Sequence, residues 1–161
     1  KETYTEDSRQ PVVELGDIYD DLARRDFTIN CIAKDVETGE LIDPFHGQKD
    51  IKNERLRCPI NAEKSFNDDP LRILRMFRFM VTKRAVMRLT PSDDIMEAIR
   101  NFDAVRFNKV SVERTMIELD KMFKHDTLLT LNVLSSIRKD NEPLYQAIMA
   151  GFWLMPTNRK K

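Results

Sequence analysis

The sequence contains few of the residues that build metal centres and covalent cross-links. Among 161 residues there are two cysteines and two histidines, and none lies close enough to another for metal-ligand spacing. Cys31 and Cys58 are also too few for a disulfide framework, so we expect ordinary reduced thiols. These shortages exclude the disulfide-rich secreted class. They favour a cytoplasmic protein and predict no metal site in this chain.

Long apolar runs are also absent. No apolar stretch approaches the ~20 residues of a membrane-spanning helix, and no signal peptide can be recognised. We therefore expect no membrane contact. The chain opens with KETYTEDSRQP, which has neither an initiator methionine nor a clear element start. It is therefore expected to be a fragment, or the ordered remainder of a longer protein.

What the sequence does contain is a high proportion of charge, unevenly distributed. Hydrophobic residues make up 41% and charged residues 34%, which indicates a soluble, helix-rich protein with enough apolar material for a core. The first 68 residues hold 10 Lys and Arg against 16 Asp and Glu, a formal charge of −6, and the remainder hold 17 against 11, or +6. The basic half suggests an acidic partner, although such surfaces are also common without one.

Periodicity and turn residues predict an α+β part followed by an all-α part, with the boundary near Pro59. In the first part we expect a helix from Asp17 to about Lys34, and short strands at 12–15, 40–44 and 54–58. Every later segment is predicted to be helical: 61–83, 92–101, 111–124, 127–139 and 143–150. Pro70 lies inside the longest of these. It is expected either to kink that helix or to occupy the first turn of a new one.

Residues 68–79, DDPLRILRMFRF, place an acid and three arginines at every third position of one predicted helix: Asp69, Arg72, Arg75 and Arg78. Residues three apart are neighbours on a helix, so the row is expected to follow one side. One interpretation is a solvated face with a weak surface salt bridge between Asp69 and Arg72. The other is a nucleotide site. Cytosine and adenine both present an amine beside an unprotonated ring nitrogen, which an aspartate and an arginine can pair, and uracil and guanine have the reverse polarity. Arg75 and Arg78 would then meet the phosphates.

The second candidate stretch is RRDFTIN at 24–30, which places charges beside a predicted buried seam. As an ordinary helix it would be supported by i, i+4 pairs such as Asp21 with Arg25. As a binding segment, Asp26 could accept from a ribose hydroxyl while Arg25 holds phosphate. Asn30 could then add a neutral contact.

Five motifs in order carry a resemblance to a known family: DDLARRDFTIN (20–30), LIDPFHGQKDI (41–51), LRCP (56–59), FNDDPLRILRMFRF (66–79) and VSVERTMIELDKMF (110–123). Their residues, order and spacing resemble those of the class II tRNA nucleotidyltransferases, or CCA-adding enzymes, and the related bacterial poly(A) polymerases. The match covers most of the chain to about residue 125. The resemblance implies the C-terminal part of a nucleotidyltransferase head domain at 1–59, a helical neck at 60–125 and the start of an RNA-binding helical body at 126–161.

The resemblance also assigns nucleotide-binding roles to eight residues: Arg24, Arg25, Asp26 and Asn30 in the ribose-selecting segment, and Asp69, Arg72, Arg75 and Arg78 in the base- and phosphate-binding row. Within the row, Asp69 and Arg72 would read the base. Glu113 and Arg114 would support the neck helices rather than touch substrate.

The sequence departs from the family in the elements that carry catalysis. The Gly-Gly phosphate-binding stretch and the Asp-x-Asp pair that binds two Mg²⁺ ions do not occur in it. The adjacent acids at 20–21 and 93–94 are no substitute, since neighbours on a strand face opposite sides. No catalytic residue is therefore expected in this chain, and the metal carboxylates are expected in a preceding segment or on a second polypeptide. FHGQ at 45–48 also replaces a Gly-Gly pair, which could alter a hinge.

The implied activity is template-independent addition of C and A to tRNA 3′ ends from CTP and ATP. The RNA 3′ hydroxyl would attack the α-phosphate, with pyrophosphate leaving. A poly(A) polymerase would use the same motifs. The chain could also be one subunit of a split enzyme. Two alternatives come from other classes: a non-catalytic nucleotide- or RNA-binding module, and an unrelated helical interaction protein.

Overall fold

The computed structural model describes residues 15–154, which form two compact units, one ending at Ile60 and the other beginning at Asn61. The first unit is built from short elements: α1 (Leu15–Ala23), a 3-10 turn (Thr28–Asn30), β1 (Ala33–Lys34), β2 (Leu41–Ile42), α2 (Gly47–Lys52) and β3 (Arg55–Leu56). β1 and β2 pair antiparallel, with Ala33 opposite Ile42. The Asp35 carboxylate accepts from the backbone N–H groups of Glu37 and Thr38 at 2.8 and 2.9 Å, which closes the turn between these strands.

The second unit is mainly helical: α3 (Ala62–Asp68), α4 (Leu71–Thr82), β4 (Thr90–Pro91), α5 (Asp93–Arg100), a 3-10 turn (Ala104–Lys109), α6 (Val112–His125), α7 (Thr127–Asp140) and α8 (Glu142–Leu154). Side-chain caps fix where several helices begin. Asn61 accepts from the N–H of Lys64 at 3.0 Å, and Asp126 accepts from that of Leu129 at 2.9 Å. These caps explain why the predicted starts of α3 and α7 lie close to the observed ones.

The core of the second unit lies where α4 packs on α6. Leu74 and Phe77 on α4 are buried, as are Leu119 and Met122 on α6. Each such side chain contributes roughly 1.5–3 kcal/mol when removed from water. This packing holds the arginine-bearing helix against α6.

The sequence predictions of α5, α6 and α7 are confirmed to within two residues at each end, and the strand predicted at 40–44 contains β2. The helix predicted from Asp17 to Lys34 is wrong beyond Ala23. The Asp26 carboxylate accepts from the backbone N–H of its neighbour Phe27 at 2.8 Å. This local bond is an alternative to helical pairing, and β1 follows at 33–34.

The placement of Asp69 on one continuous helix with the arginines is also wrong. Asp69 lies between α3 and α4 in an extended conformation, with φ −144° and ψ 97°. The cause is Pro70, which has no N–H to donate and disfavours a helical conformation in the residue before it. Pro70 therefore marks the start of a new helix, α4, which is one of the two outcomes that the sequence predicted for this proline.

Two further predictions concern the ends of the chain. Residues 12–14 of the first predicted strand and the basic tail at 159–161 lie outside the described residues, and Leu15 opens α1 rather than ending a strand. In the part of the chain that the structure describes, no helix is both long and apolar enough to cross a membrane.

Candidate nucleotide-binding site

The junction between α3 and α4 carries the predicted base-reading aspartate. One oxygen of Asp69 lies 3.0 Å from Nη2 of Arg114 on α6, and the other is 3.3 Å from the backbone N–H of Leu71 and 3.5 Å from Nη1 of Arg114. The Asp69 side chain is 30% exposed. The Arg114 guanidinium and the Leu71 N–H thus fix the orientation of the carboxylate. Part of the carboxylate faces solvent, where it can accept hydrogen bonds from a ligand.

Arg72 lies in the first turn of α4 and is held by the preceding helix. Its Nη1 donates to the side-chain oxygen of buried Ser65 at 3.0 Å and to the backbone oxygen of Ser65 at 3.3 Å. The backbone N–H of Arg72 also donates to the carbonyl of Asp69 at 3.0 Å. A guanidinium has five N–H donors, and the bonds to Ser65 fix the orientation of the one on Arg72.

Arg75 and Arg78 converge on a residue that the sequence reasoning did not single out. Glu118 of α6 is buried, and its carboxylate pairs with Nε of Arg78 and lies 3.5 Å from Nη1 of Arg75. The Arg78 guanidinium also lies 4.3 Å from the centre of the Phe79 ring. In the sequence, Glu118 lies on the same stripe of the predicted helix as apolar Leu119 and Met122, and this stripe usually faces the core. That pattern could have indicated that Glu118 is buried.

The segment 24–30 begins with two exposed arginines and continues through buried residues into a 3-10 turn. Asp26 is buried, and its carboxylate accepts from the side-chain amide of Asn30 at 3.0 Å. Arg25 donates to the backbone oxygen of Asn30 at 3.3 Å and pairs with Asp21 at 3.2 Å, as predicted. Arg24 lies exposed next to it. The structure therefore brings Arg25, Asp26 and Asn30 together around one turn.

A buried polar network supports this turn. The Thr28 hydroxyl donates to Asp50 of α2 at 2.6 Å, and Asp50 pairs with Arg57 at 2.8 Å. Arg57 in turn accepts, through its backbone oxygen, the N–H of Thr28 at 2.9 Å. Gly47 opens α2 so close to this turn that an added Cβ would lie 2.1 Å from the Thr28 carbonyl oxygen. Sequence reasoning quoted the motifs that hold these supports without assigning roles to them.

Neither Cys31 nor Cys58 forms a disulfide, and both are buried. Burial raises the pKa of the Cys31 thiol to about 12, and the nearby Asp26 carboxylate adds to the effect. The thiolate, which is the nucleophilic form, is therefore suppressed at neutral pH. Cys31 packs beneath the turn, and its thiol lies 3.1 Å from the backbone oxygen of Phe27.

The family resemblance implies bound magnesium, but the described residues contain no set of ligands for it. Among residues 15–154 there is no group of three or more His, Cys, Asp or Glu side chains that could hold a metal ion. The acidic pairs at 20–21 and 93–94 belong to this same region. We therefore assign no metal-binding role to the described residues.

Comparison with known proteins identifies the family. Residues 1–57 match the model of the poly A polymerase head domain. A CCA-adding enzyme from Streptococcus uberis is 44% identical over 119 residues, which are 73% of this chain. The chain belongs to the tRNA nucleotidyltransferase and poly(A) polymerase family. The family predicted from the five motifs is therefore confirmed.

Solved structures of this family share the fold. The Bacillus stearothermophilus CCA-adding enzyme in complex with CTP superposes with a TM-score of 0.66 at 32% identity and covers 84% of this chain. The Thermotoga maritima CCA-adding enzyme complexed with tRNA gives 0.65 at 28% identity over 81% of the chain. The predicted fold class, a head-domain portion followed by helices, is confirmed.

The match covers only part of those proteins. This chain spans 28% of the length of the Streptococcus uberis relative and about 31% of the Bacillus stearothermophilus enzyme. The roles of the eight candidate residues stay predictions, which the geometry described above makes specific enough to test.

Proposed function

We propose that this chain is the nucleotide-selecting part of a tRNA nucleotidyltransferase that adds C and A to tRNA 3′ ends from CTP and ATP. In that reaction the RNA 3′ hydroxyl attacks the α-phosphate and pyrophosphate leaves. The observation that carries the proposal is the arrangement at the α3–α4 junction. There a carboxylate and a guanidinium, those of Asp69 and Arg72, lie three residues apart in the chain, and each is held by hydrogen bonds within the second unit.

The chemistry of selection follows from their hydrogen-bonding capacities. Asp69 offers only acceptors and Arg72 only donors, which matches the amine and the ring nitrogen of cytosine and of adenine. Uracil and guanine would bring an acceptor to Asp69 and a donor to Arg72. Leaving such groups unpaired costs ~1–3 kcal/mol each. The pair therefore accepts two bases and rejects two without a nucleic-acid template.

The remaining candidate residues supply the other contacts. Arg75 and Arg78 are proposed to interact with the triphosphate, because planar guanidinium groups suit phosphate oxygens. The segment 24–30, with Arg24, Arg25, Asp26 and Asn30, is proposed to select ribose. We further propose that the enzyme uses Mg²⁺, acts on an RNA 3′ end and is cytoplasmic. The metal ligands would come from residues other than those described here, including those of a second polypeptide if the enzyme is split.

The test is nucleotide incorporation by the full-length protein that carries this segment. A tRNA transcript lacking its CCA end is incubated with each nucleoside triphosphate singly and with CTP and ATP together. We expect extension by CTP, completion by ATP, and no extension by UTP or GTP. Stable binding of CTP and ATP without incorporation would instead identify a non-catalytic nucleotide-binding module.

A second candidate is a poly(A) polymerase, which the head-domain family name favours. Such an enzyme extends RNA with ATP alone and has no requirement for CTP. Incubation with ATP on a tRNA that already ends in CCA distinguishes the two. Long adenosine tracts on that substrate, with no incorporation of C on the truncated one, would replace the first proposal by the second.

A further inference from the structure

A cavity of about 360 Å³ lies in the first unit, at α2 and β3. Six residues line it, and all of them are polar or charged: His46, Lys49, Asp50, Asn53, Arg55 and Arg57. Pockets for small organic ligands are lined mainly by apolar and aromatic side chains. This lining favours an ionic group instead.

The cavity is a basic region within an acidic unit. Among residues 15–60, four of the seven Lys and Arg lie between positions 46 and 57, but only two of the ten Asp and Glu do. One of these two acids, Asp50, is buried and accepts hydrogen bonds from the Thr28 hydroxyl at 2.6 Å and from Nε of Arg57 at 2.8 Å. Asp50 and Arg57 thus belong to the network that supports the neighbouring turn, and we assign no ligand contact to either.

Lys49 and Arg55 differ from that pair because both are exposed. Among residues 15–154, neither side chain forms an ion pair or a hydrogen bond. Two cations that border one cavity repel each other, and an anion in the cavity would relieve that repulsion. His46 and Asn53 border the same cavity and can donate hydrogen bonds from a ring nitrogen and from a side-chain amide. The four side chains together supply the charge and the donors that an oxyanion requires.

His46 lines the cavity although glycine would be the less costly residue at its position. Its backbone lies in the left-handed region, with φ 60° and ψ 36°. This region costs residues other than glycine roughly 1–2 kcal/mol, and glycine adopts it without that cost. Residues held in such conformations are concentrated at functional sites. A ligand contact by the imidazole would account for a histidine here.

We propose that this cavity binds a phosphate group of the RNA backbone, with Lys49 and Arg55 as its charged contacts and His46 and Asn53 as hydrogen-bond donors. The inference rests on the proposed function, which makes an RNA 3′ end the substrate, and it adds a further contact to that substrate. RNA is favoured over a free nucleotide because exposed ion pairs contribute at most about 1 kcal/mol each. Two such contacts hold a free anion only weakly, whereas RNA combines them with its other contacts and releases counterions on binding.

The test measures tRNA binding by the full-length protein that carries this segment, for Lys49→Ala, Arg55→Ala and the double variant. Lys52→Ala is the matched control, because Lys52 is exposed and lies on α2 with Lys49 but does not line the cavity. Dissociation constants for a tRNA lacking its CCA end are measured at several salt concentrations. A duplex RNA of unrelated sequence is the second ligand, and KM is measured for CTP and ATP.

Each single variant should weaken tRNA binding by about two- to fivefold, the scale of one exposed ion pair. The slope of the logarithm of affinity against the logarithm of salt concentration should fall by about 1, because one phosphate contact is lost. The double variant should lose about twice as much of this slope. The unrelated duplex should be affected equally, since phosphate contacts carry no sequence information. KM for CTP and ATP should stay within about twofold, and Lys52→Ala should match wild type.

His46→Gly provides a second, independent readout. The melting temperature should not fall, because relief of the left-handed backbone offsets the greater freedom of glycine in the unfolded chain. Binding of tRNA should nevertheless weaken by about twofold or more. Unchanged stability with weaker binding would assign the His46 side chain to the ligand and not to the fold. Wild-type affinity in this variant would contradict its contact with RNA.

Three other results would overturn the inference. The first is wild-type affinity and salt dependence in the double variant, and the second is an equal loss in Lys52→Ala, which would indicate a general effect of charge. The third is a rise in KM for CTP and ATP with unchanged tRNA binding, which would assign the cavity to a free nucleotide. If circular dichroism shows that the double variant is unfolded, the two single variants decide the matter in the same way. The proposed function fails separately, when the wild-type protein binds tRNA but does not incorporate C and A.

Discussion

The turn at 24–30 and the helix α4 both present charged side chains, but they hold them in different ways. In the turn, the Asp26 carboxylate accepts hydrogen bonds from the backbone N–H of Phe27 and from the side-chain amide of Asn30. The close approach of Gly47 also constrains the backbone of the turn. On α4 the backbone is a regular helix. Its arginines receive their partners from elsewhere in the chain, most notably from Glu118.

This difference predicts which property, stability or ligand selection, a substitution in each region should change. A turn with an irregular backbone depends on steric fit and on buried hydrogen bonds, so changes there should lower the stability of the first unit. A helix keeps its backbone when a side chain outside the core is changed, so a change at Arg72 of α4 should alter ligand selection more than folding. The following predictions test that contrast, beginning with the largest effect.

Gly47→Ala should be the most disruptive change. The new Cβ would lie 2.1 Å from the Thr28 carbonyl oxygen and 2.9 Å from its carbon, and both are backbone atoms of the turn. We expect a loss of about 3 kcal/mol or more in the free energy of unfolding, at the upper end of overpacking effects. Gly16→Ala in α1 is the matched control, because nothing lies within 4 Å of its added Cβ. Equal melting temperatures for the two variants would contradict the steric account.

Asp50→Ala should have the next largest effect. It removes the acceptor of the Thr28 hydroxyl and the partner of Arg57, and the Asp50 side chain is 5% exposed. Because Arg57 itself is 40% exposed and can regain water, we expect a loss of ~2–4 kcal/mol rather than more. Asp21→Ala breaks an exposed pair in the same unit and should cost under ~1 kcal/mol. Urea unfolding of both variants would show whether burial governs the difference.

Arg72→Ala should affect selection rather than stability. It removes the proposed donor to the base and leaves the remaining arginines of the row in place, so the preference for C and A should fall by ~1–3 kcal/mol with a smaller change in triphosphate affinity. Arg84, exposed beyond the end of α4, provides a control as Arg84→Ala. Competition between CTP and UTP on truncated tRNA measures the effect. Equal losses for all four nucleotides would remove Arg72 from base reading.

Asp43→Asn should give the smallest effect, visible as a change with pH. Burial acts to raise the pKa of Asp43, but hydrogen bonds from the backbone N–H groups of Gln48 and Gly47 outweigh it and hold the pKa below its usual value. A lowered pKa in the folded state means that the ionised group stabilises the protein above its unfolded pKa of ~3.9. That contribution is lost as the pH falls through the folded pKa.

The variant should therefore be less stable than wild type by roughly 0.5–1 kcal/mol near neutral pH, a typical value for a lost cap. The difference should shrink as the pH is lowered below ~4. Melting temperatures measured from pH 7 to pH 3 would reveal this. A difference that grew towards acid pH would show that the carboxylate is not stabilised by these bonds.

The helices of the second unit were predictable because their apolar residues recur with a helical period and their caps are visible locally. Ser111 accepts from the N–H of Arg114 three residues on, for example, and this spacing is apparent from the sequence. Glu118 could not be assigned a partner in the same way. Its contacts with Arg75 and Arg78 join positions some forty residues apart, and nothing in local spacing specifies them.

The first unit was harder to predict for a different reason. Phe27, Ile29 and Ile32 have spacings compatible with a helix, yet the Asp26 carboxylate accepts a hydrogen bond from the backbone N–H of Phe27 and turns the chain before them. Ile29 then lies in the 3-10 turn, Phe27 is the residue before that turn, and Ile32 directly precedes β1. Family motifs supplied the candidate residues of this segment, whose roles stay predictions, whereas periodicity alone gave the wrong local structure beyond Ala23.

The break at Asp69 and Pro70 also bears on how such a protein can change over time. Pro70 sets the start of α4 whatever side chain precedes it, and position 69 belongs to neither helix. On the proposed base-reading role of Asp69, a substitution at 69 should alter which bases are accepted without changing the two helices on either side. Position 78, enclosed against Glu118 and Phe79, has no such freedom. Base preference should be the evolvable property of this segment and its internal arginine the conserved one, and directed evolution for acceptance of uracil should begin at residue 69.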